Sequence, residues 1–351
     1  MMHSTGQSIE REARARLPGI LADLLDEDDL RFDAIEDAGG VDLRATDSAD
    51  RLWLIEVKAS ASPGHVARAA EQLAHYVHDD DDAIPLLVVP YMTRGAVQVA
   101  EDLGVNWVDL AGNAHIREEN LYVYVAGRAN PFRSPGRPSS PFAPKSARVT
   151  RVMLLDPARW WRQRDLVEET GLHDGNVSRV VRRLEDLALV VRRDREYRPS
   201  DPRLLLTAWA DEYRLDRHDL VFAHMSGSGV DVSRQLEQRL RAAKLQHAFT
   251  GLPAAWAMDH FARFRLASVY VVGDPRDALE RLDLRRAEKG ANVQLIGPDD
   301  HGVFKGAAEH DGLTCVAPLQ AYLDLRHLPE RAEEAADHLL AHRLRWDDGA
   351  S

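Results

Sequence analysis

The run Leu52-Trp53-Leu54-Ile55-Glu56-Val57 is almost wholly apolar, and Lys58 follows it directly. Its length and its β-branched and aromatic members read as a buried strand. Glu56 and Lys58 are two apart, so they project from one face while Val57 points to the other. A charged pair at the end of such a strand is costly to bury unless it is paired or holds an ion. Just upstream, Gly39-Gly40 suits a bend or a close backbone approach, and Asp42 follows in a short strand over Val41–Ala45. Neighbouring strands lie about 4.8 Å apart, which lets Asp42 and Glu56 share one divalent cation.

The elements around this strand order themselves. Ile9–Leu25 carries apolar residues at helical spacing, with Pro18 predicting an interruption. Arg31–Ile35 and Val41–Ala45 read as short strands separated by the turn Asp37-Ala38-Gly39-Gly40. After Pro63-Gly64 a helix is expected over His65–Val77, where Gln72 and Tyr76, four apart, share a face. Pro85–Pro90 reads as an apolar strand, Arg94–Leu103 as a helix closed by Gly104, and Asn106–Leu110 and Leu121–Val125 as strands. This order predicts an α/β sandwich.

Here a resemblance enters. Asp42, then Glu56-x-Lys58 on the next strand, then Gln72-x-x-x-Tyr76 on the following helix resembles the PD-(D/E)XK nucleases, RecB-like branch. The resemblance implies a restriction-endonuclease-like fold in which Asp42, Glu56 and Val57 hold Mg²⁺ or Mn²⁺. It further implies that Lys58 orients the attacking water and that Gln72 and Tyr76 support the site. Hard oxygen donors suit Mg²⁺. An acidic residue on the first helix belongs to the same pattern, and both Glu10 and Glu12 qualify. Taken alone, Glu-x-Lys on a strand is a common surface pair; the ordered set of five is what points to phosphodiester hydrolysis. The expected domain spans 1–130.

Pro131–Pro144 contains five prolines among Ser, Gly and Arg, so 131–145 is expected to be a spacer without helix or ladder. Beyond it the charge changes sign. The chain of 351 residues has a net charge of −12, yet Lys145–Arg198 holds thirteen Lys/Arg against nine Asp/Glu. Basic charge is thus gathered in one module, 146–210, which keeps a nucleic-acid partner open. Helices are expected at Val149–Leu155, Arg164–Thr170 and Asn176–Leu187, then a two-stranded hairpin over Val190–Tyr197. Together they resemble a winged helix-turn-helix. Asn176, Ser178, Arg179, Arg182 and Arg183 fall on the outward side of the third helix, with Arg192, Arg193 and Arg195 on the wing. Arginine reads guanine edges and binds phosphate bidentately, while Asn and Ser contact bases or phosphate. The alternative is a basic surface serving protein contacts.

Residues 211–351 read as a C-terminal α/β domain. Its strands are expected at Leu220–Ala223, Ser268–Val272 and Val293–Ile296, and helices at Val232–Ala243, Pro275–Arg281, Leu319–Leu325 and Glu330–Arg343. Phe249–Trp256, Gly302-Val303-Phe304 and Ala317–Leu325, following a winged helix, resemble AbiEi-type antitoxin regulators of type IV toxin–antitoxin systems. That likeness covers roughly 146–342 and implies a DNA-binding transcriptional repressor with a cognate toxin; such winged-helix regulators often act as homodimers. Gly227-Ser228-Gly229 is read as a turn before a helix. No Gly-x-x-x-x-Gly-Lys loop occurs, so nucleotide-driven motor chemistry finds no support. A single cysteine, Cys315, excludes an internal disulfide and reads as a small core residue. No apolar run approaches the roughly 20 residues of a membrane span, and no secretory leader is seen, so a cytoplasmic protein is expected.

Overall fold

The computed structural model describes residues 3–26, 31–34, 41–77, 83–132, 140–287, 289–326, 328 and 331–346. The Asp37–Gly40 turn, the acidic stretches 27–30 and 78–82, the centre of the proline-rich spacer and the side chain of Glu10 lie outside the described residues. The chain is an α/β protein that divides into two compact units. One comprises 1–139, 183–191 and 203–211; the other comprises 140–182, 192–202 and 212–351.

In the first unit the order is α1 (His3–Leu25), β1 (Arg31–Ala34), β2 (Leu43–Thr46), β3 (Leu52–Val57), α2 (Pro63–Val77), β4 (Ile84–Val89), α3 (Arg94–Asp102), β5 (Asn106–Asp109), β6 (Ala114–Glu118) and β7 (Leu121–Val125). The seven strands form one mixed sheet in sequence order. β1–β3 are antiparallel, β3–β5 parallel, and β5–β7 antiparallel again.

Strand periodicity sorts the two cores. Trp53, Ile55 and Val57 join Leu86, Val88 and Ile116 against Leu17 and Leu21 of α1. Leu54, Leu87 and Trp107 face the other way, onto Val66, Ala69 and Leu73 of α2 and Ala96 and Val99 of α3. The interruption expected at Pro18 does not occur: α1 is continuous through it. A proline inside a helix costs about 3 kcal/mol, and the complete burial of Leu17 and Leu21 on either side offsets that loss. β6 escapes sequence reading because Ala-His-Ile-Arg-Glu places polar groups on its outward side and only Ala114 and Ile116 in the core. Two downstream segments close the unit. Asp211 accepts hydrogen bonds from Thr93 Oγ1 (2.6 Å) and Gly95 N (2.8 Å), and Ser62 Oγ donates to Leu187 O (2.9 Å). Gly64 lies so near Ala188 that a Cβ there would sit 2.6 Å from its carbonyl oxygen.

The chain continues with α4 (Ala147–Leu155), β8 (Trp161–Arg162), α5 (Gln163–Thr170), α6 (Asp174–Asp186), β9 (Val190–Arg193), β10 (Glu196–Pro199) and α7 (Pro202–Glu212). β8, β10 and β9 form a small sheet. Then come β11 (Asp219–His224), α8 (Gly229–Ala242), β12 (His247–Phe249), α9 (Gly251–Asp259), β13 (Ala267–Val271), α10 (Pro275–Arg281), β14 (Arg285–Arg286), β15 (Val293–Gly297), β16 (Ala308–His310), β17 (Leu313–Cys315), α11 (Pro318–Leu325) and α12 (Ala332–His342). Their seven strands make a second mixed sheet, β14-β11-β15-β13-β12-β17-β16. Gly227-Ser228 turns into α8 as expected, with Ser228 its N-terminal cap residue, and Cys315 is fully buried. Among the described residues no helix is long and apolar enough to cross a membrane.

Two of the second unit's buried carboxylates are held in contrasting ways. Asp324 accepts from Thr250 Oγ1 (2.5 Å), Tyr213 OH (2.5 Å), Tyr270 OH (2.9 Å) and Gln320 Nε2 (3.0 Å), and burial raises its carboxyl above the usual range. Burial also raises the carboxyl of Glu237, but donations from His247 (2.8 Å), Arg241 (2.5 Å) and Thr314 (3.0 Å) outweigh it and hold it at about 2. A depressed carboxylate contributes stability above its unfolded value of 4.5 and loses it as pH falls toward about 2. The shift corresponds to about 3 kcal/mol. Glu237→Gln is therefore expected to lower unfolding stability at pH 7 by about that amount and to flatten its decline between pH 4.5 and 2, read by urea denaturation. An unaltered pH slope would show that Glu237 is not the titrating support.

Candidate metal centre and nucleic-acid surface

The β2–β3 ladder pairs Leu43 with Ile55 and Ala45 with Trp53. Continued by one residue, that register sets Asp42 opposite Glu56. Asp42 Oδ2 accepts a hydrogen bond from the Val57 amide at 2.7 Å, which pins the aspartate to the end of β3. Glu56 is only 5% exposed. Lys58 Nζ donates to Glu56 Oε1 and also to Gln72 Oε1 (2.8 Å) on α2. Ser62 starts that helix, its hydroxyl accepting from His65 N at 3.3 Å in the manner of an N-cap.

The structure thus joins Glu56, Lys58 and Gln72 in one hydrogen-bonded chain, with Asp42 held at its strand. Tyr76 lies one turn beyond Gln72 and packs against the Leu54–Leu73 core. Glu12 forms an i,i+4 ion pair with Arg16 (2.9 Å) on α1, whose apolar face covers the opposite side of the sheet. His65 is a neighbour that spacing did not single out. Burial, then the cationic charges of Arg68 and Lys58, push its imidazole below the usual histidine value, so it is neutral at pH 7.

The donor set fits a hard divalent cation. Each carboxylate has two oxygens and about four lone-pair sites, so accepting a protein hydrogen bond still leaves room for an ion. Asp42, Glu56 and Val57 are the residues expected to hold it. Among the described residues there is no cluster of three or more His, Cys, Asp or Glu suited to a metal. Two carboxylates with the remaining positions left to water and phosphate is the usual way of binding Mg²⁺.

The helical module carries its charge outward. On α6, Val177, Val180, Val181 and Leu184 are buried, Asn176, Arg179 and Arg182 are exposed, and Ser178 and Arg183 are half-buried. Gly171, left-handed at φ 67°, ends α5, and Gln163 Nε2 donates to Asp174 Oδ1 (2.7 Å) at the start of α6. Arg192, Arg193 and Arg195 are exposed around the β9–β10 turn, where Asp194 takes φ 55° and its carbonyl accepts from Arg192 Nε (2.8 Å).

Compared with known proteins, the chain matches no family model, no curated protein and no solved structure. The functional reading therefore rests on its own residues. Asp42→Ala removes the acceptor of the Val57 amide. A hydrogen bond to a charged group contributes about 1.5–3 kcal/mol, so exchange of that amide should accelerate at least about tenfold by NMR while Ile55 is little changed. Equal protection in variant and wild type would dissolve the proposed anchor.

Proposed function

We propose that the first unit carries a PD-(D/E)XK-type nuclease domain of restriction-endonuclease-like fold, acting on DNA with Mg²⁺ or Mn²⁺. A winged helix-turn-helix formed around α5, α6 and the β9–β10 hairpin would target it. The observation that supports this reading is the link Glu56–Lys58–Gln72 beside the pinned Asp42, in the order that the PD-(D/E)XK resemblance implies.

Asp42 and Glu56, with the Val57 carbonyl, would hold the ion, which would supply charge stabilisation at the phosphate and a lowered pKa for water. Lys58, fixed between Glu56 and Gln72, keeps its ammonium beside the reacting phosphate, where it orients the incoming water and offsets developing negative charge. Fixing the lysine at two acceptors reduces the reorganisation needed at the moment of reaction. Water adds to phosphorus as the strand's P–O bond breaks in line; the water's proton passes to solvent and the departing oxygen takes one up from it.

On α6, Asn176, Ser178, Arg179, Arg182 and Arg183 face DNA, and Arg192, Arg193 and Arg195 of the hairpin meet its backbone. A second reading shares this surface: an AbiEi-like transcriptional repressor or antitoxin, with a cognate toxin and a homodimeric form, in which the first domain is not catalytic. The exposed Asn176-Arg179-Arg182 row favours it as much as it favours targeted cleavage.

Wild-type protein with Mn²⁺ is expected to nick or cut DNA, and Asp42→Ala or Lys58→Ala to abolish this while leaving duplex affinity nearly unchanged. If supercoiled, linear and single-stranded DNA all stay intact with the wild type, the repressor reading replaces the nuclease. Arg179→Ala and Arg182→Ala should each weaken duplex binding and reduce its salt slope by about one. Unaltered slopes would move the DNA surface away from α6.

A further inference from the structure

The hydrogen-bond ladder of the first sheet runs from Glu56 to its far edge in one row. Glu56 pairs with Leu87, Leu87 with Trp107, Trp107 with His115, and His115 with Tyr124. Leu87 and Trp107 are buried beneath α2 and α3. Beyond the helices the face opens. Tyr124 and Tyr122 on the edge strand β7 are 56% and 68% exposed, the most exposed large apolar side chains among the described residues of that sheet.

These rings are ordered. His115 stands edge-on to both, with centroids 5.6 Å from Tyr124 and 6.0 Å from Tyr122, at interplanar angles of 89° and 82°. Glu101, near the end of α3, lies 3.9 Å from His115 Nδ1. Arg117, exposed, is the cross-strand partner of Tyr122. Folding does not call for the tyrosines to be aromatic, because β7 contributes to the core through Leu121 and Val123 on its opposite face. An edge strand that exposes aromatic rings is an aggregation hazard unless something binds there.

We infer that Tyr122, Tyr124 and His115 form a stacking platform for unpaired bases of a nucleic-acid strand engaged at the Glu56–Lys58 site, with Arg117 on its phosphates. The direction of the strand rests on the nuclease reading of that site. Aromatic rings interleaved with a cation are the chemistry that grips single strands without regard to sequence. Four strand spacings of about 4.8 Å put the platform about 19 Å from Glu56. Because α2 and α3 cover the sheet between the two, a strand joining them passes around these helices and, at about 3.4 Å per stacked nucleotide, needs more than about six residues. A single-stranded tail shorter than that engages one site or the other, and a longer one engages both.

The test uses the full chain and a fluorescein-labelled dT12 strand in EDTA, where no metal-dependent cleavage occurs. Tyr122→Ala with Tyr124→Ala is expected to weaken dT12 binding about tenfold to a hundredfold, with duplex affinity unchanged. Tyr122→Phe with Tyr124→Phe should bind within about twofold of wild type, since the π-face is kept. Photocrosslinking of an iodouracil-substituted strand should map to Tyr122 or Tyr124. Wild-type dT12 affinity in the double alanine variant, or crosslinks confined to other segments, overturns the platform. So does a change in sedimentation from dimer to monomer with single-strand affinity kept, which would assign the edge to a second copy of the chain. If the wild type cuts nothing with Mn²⁺ yet the alanine variant still loses dT12 affinity, the nuclease reading fails and the platform stands.

Discussion

The hydrogen bond from the Val57 amide to Asp42 Oδ2 ties together the end of β3 and the residue leading into β2. Strand pairing alone brings the two backbones alongside each other; it does not say where an aspartate just outside the ladder will point. The amide does. It takes one oxygen of Asp42 and holds the carboxylate at the rim where Glu56 and Lys58 emerge. A one-residue slip between β2 and β3 would reverse every side chain of the shorter strand, removing Leu43 and Ala45 from the α1 core as well as Asp42 from the rim. Packing and site geometry are therefore protected by the same register.

Three buried carboxylates show how differently one chain meets the cost of burying charge. Glu237 stays ionised because a histidine, an arginine and a threonine converge on it. Asp324 is surrounded by hydroxyl and amide donors, Tyr213, Tyr270, Thr250 and Gln320, and burial drives its carboxyl upward. Glu56 has the ammonium of Lys58, itself shared with Gln72. The first two are closed clusters that hold β17, β12 and α11 in place. The third lies at a sheet end beside a half-buried lysine.

Much of this was legible in residue order. The near-continuous apolar run Leu52–Val57 foretold a strand buried on both faces, and the exposed row on α6 followed from apolar residues at 177, 180, 181 and 184. Other features were not legible, for physical reasons. Pro18 is tolerated because tertiary burial outweighs a local rule, and burial by distant strands is invisible in a helix pattern. β6 leaves no clear signal because its outward residues are polar and charged. The short strands β12, β16 and β17 have three residues each, too few for a period of two to declare itself. Phe249–Trp256, legible only as a phrase, contributes the end of a strand and most of α9, a helix apolar on nearly all sides that owes its form to burial rather than to amphipathic spacing. The platform on β7 was hidden too, since only the ladder sets Tyr124 in the row of Glu56 and Tyr122 beside Arg117.

The central claim is that Asp42 and Glu56 together hold one divalent cation. Electron paramagnetic resonance titration of Mn²⁺ tests it without reference to any substrate. One Mn²⁺ per chain is predicted for the wild type, displaced by Mg²⁺, and lost in Glu56→Gln and Asp42→Asn alike. Free Mn²⁺ throughout the wild-type titration, or binding equally strong in both variants, would contradict it.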